Sequence, residues 1–441
     1  MTRPESKRRY IAAAAVGNFV EWYDFVIYAF LATQIARNFF PQSSPTAGLL
    51  STLAVLGAGF VLRPIGATVC GYLGDRFGRR NVLSGVIISM STATFLMGVI
   101  PSYEVVGVWA PILLLVLRLI QSFSAGGEFG GVTSFLFEHA RKDRRGLIGS
   151  IQPASMQVAV ATSVGLSLAV TAWMSPEMLN TWGWRILFFL ALPMGLVGLY
   201  IRLGVEETPE FLNAKENAGP DDAEGLSKNP VKEALTQHWK QIIVAALACA
   251  CWTAGGYVTL LYLPTYFGSV LERPSREGLL ISFIGLSVYV VCIPIAGRLS
   301  DSFPRWKVML TGAVATAVVA IPAFHMLSTG SLALGVLAAV LFAITMSLCS
   351  GPTTAFLSEL VPAKVRNSSN AISYAIANTV FAGFAPFIVT WMIVQSGSVI
   401  SPAYYLIGAQ LLTVLGLVFN TWLVRRPERV PSTLVAADAH D

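Results

Sequence analysis

The chain has 441 residues, 54% hydrophobic and 12% charged, with a mean hydropathy of +0.64. A soluble protein carries about a quarter charged residues, so no soluble core accommodates this much apolar chain. The net charge of +6 is no nucleic-acid signature, because the basic residues sit in short segments between apolar runs, as in a multispanning membrane protein.

The first run begins KRRYIAAAAV, which has the basic and apolar parts of a signal peptide. The apolar stretch continues to about Thr33, too long for one, and predicts a first membrane helix. Apolar runs fall at 11–35, 47–73, 82–100, 108–137, 146–174 and 185–203. The longest hydrophilic stretch follows at 204–240 and contains ENAGPDDAEGLSKNP, a flexible piece between short amphipathic helices. Six more runs fall at 241–268, 277–297, 307–327, 331–358, 368–394 and 403–424. No alternating strand pattern suggests a barrel. The expectation is an all-α membrane protein with twelve transmembrane helices in two six-helix pseudo-symmetric halves, 1–203 and 241–424. A central loop, 204–240, joins them and a tail, 425–441, follows.

Of the 30 Lys and Arg residues, all but Arg37, Arg63, Arg118, Arg185, Arg273 and Arg276 fall on one side of this arrangement. The positive-inside rule then predicts both termini and the central loop in the cytoplasm of a cell whose inner membrane holds the chain. Cys70, Cys249, Cys251, Cys292 and Cys349 all lie in apolar runs, where a thiol acts as a small hydrophobe. Neither disulfide nor metal is expected.

The first run holds GNFVEWYDFVIY, with two carboxylates, Glu21 and Asp24, in apolar surroundings. On a helix Asn18, Glu21, Asp24 and Tyr28 form a polar stripe. Span two carries Arg63, about 18 Å in from Asp75 by helical rise. Span four carries Arg118 and Glu128. Each mid-membrane charge costs about 2.5–3.5 kcal/mol, so a set of five is an expensive brace. Three acids against two bases leave one excess negative charge, which one proton neutralises, and desolvation favours the neutral carboxyl. The histidines, at 139, 238, 325 and 440, all lie away from mid-membrane. Glu21, Asp24 and Glu128 are therefore the candidate proton carriers, with the choice among them open.

Two cavity arginines suit a carboxylate, which guanidinium forks bidentately. Arg63 and Arg118 are thus candidate substrate ligands, with Asn18, Tyr28, Gln152, Gln157, Tyr257, Tyr262 and Asn378 as polar companions. Tyr266, Asn370 and Tyr374 belong to the same group. Each of these alone is also a reasonable helix–helix hydrogen-bond partner.

The halves repeat. GYLGDRFGRRN at 71–81 aligns with GRLSDSFPRWK at 297–307, and GVTSFLFEHARKDRRG at 131–146 with PTTAFLSELVPAKVRN at 352–367, pairing Glu138 with Glu359. Six-span repeats with substrate between them are a transporter architecture. The first loop contains Gly71, Asp75, Arg76, Gly78, Arg79 and Arg80, a complete GxxxDRxGRR, and on this motif the chain resembles the major facilitator superfamily. GNFVEWYDF, GFVLRPIGA, RLIQSFSAGGEFGG, WGWRILFFLALP, EETPEF, LLYLPTYF and SPAYYL resemble the metabolite:proton symporter family, which includes carriers of proline and betaine, shikimate, α-ketoglutarate and citrate. The resemblance covers nearly the whole chain. It implies the major facilitator fold, with spans one, two and four lining the cavity and spans three, six, nine and twelve peripheral. The second loop departs from the motif, with Ser302, Phe303 and Pro304 between Asp301 and Arg305.

Physically, Gly71 allows close helix approach, Asp75 can face a helix N-terminus, and Arg79 and Arg80 can pair with acids such as Glu138. These residues, with Asp301, Arg305 and Glu359, form the expected cytoplasmic gate. A Walker-type GxxxxGK[ST] is absent, which argues against ATP drive. No mid-membrane Ser–His or HExxH set suggests an enzyme. The expected function is a proton-coupled symporter importing a small carboxylate-bearing metabolite by alternating access, with the proton as coupling ion, no cofactor, and a monomer in the bilayer. The alternative is a symporter of zwitterionic osmolytes such as proline or glycine betaine. The chain stops soon after RRPERVP without the coiled-coil tail of some osmosensing relatives, which favours an organic acid. A channel, the remaining rival, could not accumulate substrate.

Overall fold

The computed structural model describes residues 4–41, 44–77, 79–127, 132–133, 136–137, 140–203 and 230–424. Gly78, Glu128 and Glu138 lie outside the described residues, and Gly71, Asp75, Arg76, Arg79 and Arg80 are described by backbone alone. Every regular element described is a helix. In chain order the membrane helices are α1 (Pro4–Phe30), α2 (Pro45–Val61, continued as Arg63–Phe77), α3 (Arg79–Val99), α4 (Trp109–Ser124), α5 (Ile151–Trp173) and α6 (Ala191–Leu203). The second half has α7 (Trp239–Gly256, continued to Val270), α8 (Ser275–Ser302), α9 (Arg305–Ser328), α10 (Leu332–Glu359), α11 (Ala363–Ala377, continued as Ala385–Ser396) and α12 (Pro402–Val424). Ten are long and apolar enough to cross a bilayer and α4 is apolar but shorter. With α1, whose run holds both carboxylates, they make twelve.

Burial separates the inner helices from the outer ones. The apolar window of α7 is 89% buried, against half or less for the other long spans. In α1 every residue from Glu21 to Phe30 is buried. The remaining helices turn branched aliphatics outward, such as Val291 and Ile295 on α8, Val318 on α9 and Leu415 on α12. That is the expected division when lipid offers apolar side chains the same environment as a core. The halves meet where α5 lies along α8 and α2 along α11.

Prolines distort the inner helices. Pro264 cannot bond the Leu260 carbonyl one turn back; α7 is π-helical at Tyr257–Leu261 and Tyr266–Val270, and the Ser282 hydroxyl of α8 donates to the freed Leu260 carbonyl at 2.6 Å. In α11, Asn378–Gly383 is π-helical just ahead of Pro386. Such turns re-aim side chains at functional sites.

Candidate functional site: a charged centre between the halves

The close approach of α2 to α4 brings the two arginines together. A Cβ on Gly66 would collide with the Phe123 backbone, and one on Gly126 with the Arg63 and Ala67 backbone. Only glycine permits this contact. Arg63 and Arg118 both lie on the ring of Phe25, their guanidinium carbons 4.3 and 3.8 Å from its centroid. Arg63 is also within 4.9 Å of the Phe60 ring and 5.4 Å of Trp22, and Arg118 within 4.9 Å of Tyr28. A desolvated cation over ring faces contributes about 2 kcal/mol, so the aromatics hold the arginines where water cannot.

The two carboxylates of α1 part company. Glu21 faces Arg63 at 3.7 Å. Asp24, fully buried, faces α3 instead, where its Oδ2 accepts the Ser91 hydroxyl at 2.7 Å and its Oδ1 has no hydrogen-bond partner among the described residues. Three residues on a helix turn the direction by about 60°, enough to give the two acids different neighbours. The two acids of the one polar stripe therefore have different partners. Asp24 meets a hydroxyl of α3.

Arg118 has no acidic partner among the described residues. Its Nη1 donates to the Phe25 carbonyl at 3.2 Å and to Gln121 Oε1, and its Nε and Nη2 have no hydrogen-bond partner among the described residues. Gln121 Nε2 donates to Thr94 Oγ1 at 2.7 Å and to the Asp24 carbonyl at 2.8 Å.

A small pocket of about 20 Å³ lies beside this centre, lined by Asn18, Glu21, Trp22, Arg63, Tyr374 and Asn378 among others. Asn18 donates to Ser155 Oγ at 2.8 Å and the Gln152 carbonyl at 3.3 Å, and Asn378 Oδ1 has no partner among the described residues. Trp252 stacks on Tyr374 at 5.7 Å, and Tyr257 meets Phe60 at 5.8 Å, its hydroxyl without a partner among the described residues. Other candidates stand further off. The Tyr28 hydroxyl bonds the Thr52 carbonyl, so only its ring reaches Arg118. Tyr262 shares a 2.7 Å bond with Thr390, and Tyr266 reaches the Val399 carbonyl. Gln152 and Gln157 are buried, but neither lines this pocket. Asn370 bonds Ser358.

At the basic end of the bundle, Asp301 joins the halves. It accepts backbone N–H bonds from Gly146 at 2.6 Å and Leu147 at 3.1 Å, at the start of the helical run into α5. Arg298 donates to the Asp143 carbonyl, and Arg305 lies 3.8 Å from Asp301 and 3.1 Å from Glu359. The non-consensus residues between Asp301 and Arg305 leave both in place. Gly146 and Gly297 touch backbone to backbone, where a Cβ on either would clash.

Sequence reasoning missed Gln121, Ser91, Thr94 and the aromatic set Trp22, Phe25, Phe60 and Trp252. Only the polar residues within apolar runs carried a signal.

A twelve-helix bundle with pseudo-repeated halves and buried charges between them is a membrane transporter of the major facilitator type. The chain belongs to the sugar (and other) transporter family, whose pattern matches residues 10–427. It is 34% identical over 419 residues to a glycine betaine/proline/ectoine/pipecolic acid transporter of Dickeya dadantii, covering 94% of this chain and 83% of that one. It is 36% identical over 411 residues to a citrate-proton symporter of Klebsiella pneumoniae, covering 93% and 90%. The proline/betaine transporter of Escherichia coli K12 is 34% identical over 414 residues, covering 93% and 82%. In fold the chain resembles the partially occluded inward-open xylose transporter XylE of E. coli, with a TM-score of 0.73 at 17% identity over 95% of this chain and 98% of that one. The expected resemblance to major facilitator carriers of proline, betaine and citrate is borne out, as is the fold.

Proposed function

We propose that the protein is a proton-driven symporter importing a small zwitterionic carboxylate of the glycine betaine or proline type across the inner membrane, working as a monomer with its basic end and termini in the cytoplasm. The observation that carries this is the charge-balanced, ring-lined pocket. Arg63 and Glu21 offer one charge of each sign beside Trp22 and Tyr374. A quaternary or cyclic ammonium suits the ring faces and the Glu21 carboxylate, and the substrate carboxylate suits the guanidinium fork of Arg118, which shares the Phe25 ring with Arg63. The similarity to proline/betaine transporters supports the same reading.

Coupling follows from the four described central charges. Glu21 answers Arg63, whereas Asp24 and Arg118 each lack an ionic partner among the described residues. With Asp24 protonated, Arg118 is an excess positive charge that a substrate carboxylate neutralises. With Asp24 ionised, that carboxylate is surplus. Proton and substrate therefore favour each other's binding, which is symport by linkage. The pocket has room for about one water at about 20 Å³, so substrate enters as the halves part.

A second reading, an organic acid with more than one carboxylate, draws on Arg63 as a second fork beside Arg118 and on the citrate-proton relative. Purified protein in sealed vesicles, assayed with radiolabelled glycine betaine, proline, citrate and α-ketoglutarate under an inward proton gradient, separates the two. Accumulation of a zwitterion, collapsed by a protonophore, is expected. Accumulation of citrate alone selects the second reading, and accumulation of none overturns the symporter.

The Asp301 contact is the cytoplasmic latch in this reading, since α5 and α8 can separate only by breaking it. A charged cap bond contributes about 1.5–3 kcal/mol. Asp301→Asn is expected to raise labelling of a Ser150→Cys reporter by an impermeant maleimide from the cytoplasmic side about tenfold, with substrate affinity within a few-fold. Unchanged labelling removes the latch.

A further inference from the structure

Resting on the symporter reading, we infer that Gln121 is the positioning residue through which the charge state of Asp24 reaches Arg118. Gln121 is fully buried and lies one turn from Arg118 on α4. Its amide is the one group joining the two sites among the described residues. The carbonyl oxygen accepts from Arg118 Nη1, while the nitrogen donates to Thr94 Oγ1 and the Asp24 carbonyl. The amide orientation is fixed by chemistry, because a flipped amide would set N–H donors against a guanidinium that has only donors.

Thr94 lies one turn from Ser91 on α3, on the helix face whose Ser91 hydroxyl donates to the Asp24 carboxyl. Gln121 occupies one of the two lone pairs of the Thr94 hydroxyl, which has a single proton to place. Here it donates to the Met90 carbonyl at 2.9 Å, while Asp24 Oδ1 has no partner among the described residues. An ionised Asp24 attracts that proton, the hydroxyl turns towards the carboxylate, and Gln121 follows its acceptor. The guanidinium of Arg118 loses or shifts its amide acceptor, and its Nε and Nη2, without partners among the described residues, re-aim. A protonated Asp24 releases Thr94 to Met90 and restores the arrangement described. The chain Asp24–Thr94–Gln121–Arg118 thus has two hydrogen-bond settings, selected by one proton.

Few competing groups surround Asp24. On α1 itself Glu21 pairs with Arg63 of α2, Tyr23 donates to the Leu187 carbonyl, and Tyr28 donates to the Thr52 carbonyl. Beyond Arg118 on α4, the second half brings Tyr257 of α7 against the Phe60 ring, which packs on Phe25. The described faces of α3 and α5 bring hydroxyls and amides only. Arg185, ahead of α6, is turned to the Gly98 and Ile100 carbonyls, and Tyr200 on α6 is 80% exposed.

The test uses the full-length protein in sealed vesicles with radiolabelled glycine betaine, proline and citrate, measured as gradient-driven accumulation and as counterflow exchange over a series of external pH values. Gln121→Met keeps side-chain length and removes both donor and acceptor. Thr94→Val keeps shape and removes only the hydroxyl. Both variants are expected to exchange within about threefold of wild type, to lose accumulation about tenfold, and to flatten the pH dependence of KM. If Gln121→Met retains the wild-type pH profile, the inference is overturned. It is also overturned if Gln121→Met loses exchange while Thr94→Val behaves as wild type, since Gln121 then merely holds Arg118. Where Gln121→Met does not fold, the pH profile of Thr94→Val decides alone. A wild-type protein that accumulates none of the probes sinks the symporter reading itself, and this inference with it.

Discussion

Asp24→Asn leaves a carrier that exchanges substrate across the membrane and no longer concentrates it. Asparagine has nearly the shape of a protonated aspartate, and its carbonyl oxygen can still accept the Ser91 hydroxyl that now reaches Oδ2. The variant is therefore locked in the proton-bound setting, in which Arg118 favours a carboxylate. One pH unit stores about 1.4 kcal/mol per proton, so a carrier moving one proton per substrate sustains about tenfold accumulation across that gradient. The Asn variant should reach a ratio near one, with counterflow within about threefold of wild type and little response to a protonophore. Glu21→Gln should behave differently, because Glu21 faces the pocket and the Arg63 guanidinium; its effect falls on affinity before coupling. Uphill accumulation by Asp24→Asn would move the coupling proton to another carboxylate, with Glu128 next in line.

Arg118→Lys is expected to lose substrate binding by about a hundredfold or more while the protein still folds. The substitution keeps the charge. It discards the flat fork, the stacking on Phe25 and Tyr28, and at least one of the bonds to Gln121 and the Phe25 carbonyl. Removing a buried charged partner typically costs about 2–5 kcal/mol, and a lysine ammonium does not reproduce bidentate recognition. Arg63→Lys should cost less, since Glu21 can still hold an ammonium there. Equilibrium binding of radiolabelled substrate to purified protein, with thermal unfolding as the folding control, measures both. Near-wild-type affinity in Arg118→Lys would rule out the carboxylate clamp at this residue.

Much of the architecture was legible before any coordinates. Twelve apolar runs in two groups of six, the one-sided arginines and lysines and the paired loop motifs are properties of residues along the chain, and the bilayer permits few folds for such a pattern. The list of buried charges was equally plain, because a carboxylate or guanidinium in an apolar run is costly and rarely accidental.

What the pattern could not supply was direction. Helical periodicity places a residue around its own axis but does not say which helix stands opposite. Glu21 and Asp24 looked like one unit because they are three residues apart; packing gave one to Arg63 on α2 and the other to Ser91 on α3. Gln121 and Thr94 are ordinary polar residues in sequence and became a link only because α3 and α4 lie side by side there. Asp301 sat in a degraded copy of a motif, yet its carboxylate meets the backbone of Gly146 and Leu147 more than 150 positions away. Composition and spacing determined that this chain is a twelve-helix carrier with charges at its centre. Which acid faces an arginine, which faces a hydroxyl, and which closes the basic end were decided by tertiary contacts, because ion pairs and hydrogen bonds depend on ångström distances between helices that no single-helix periodicity encodes.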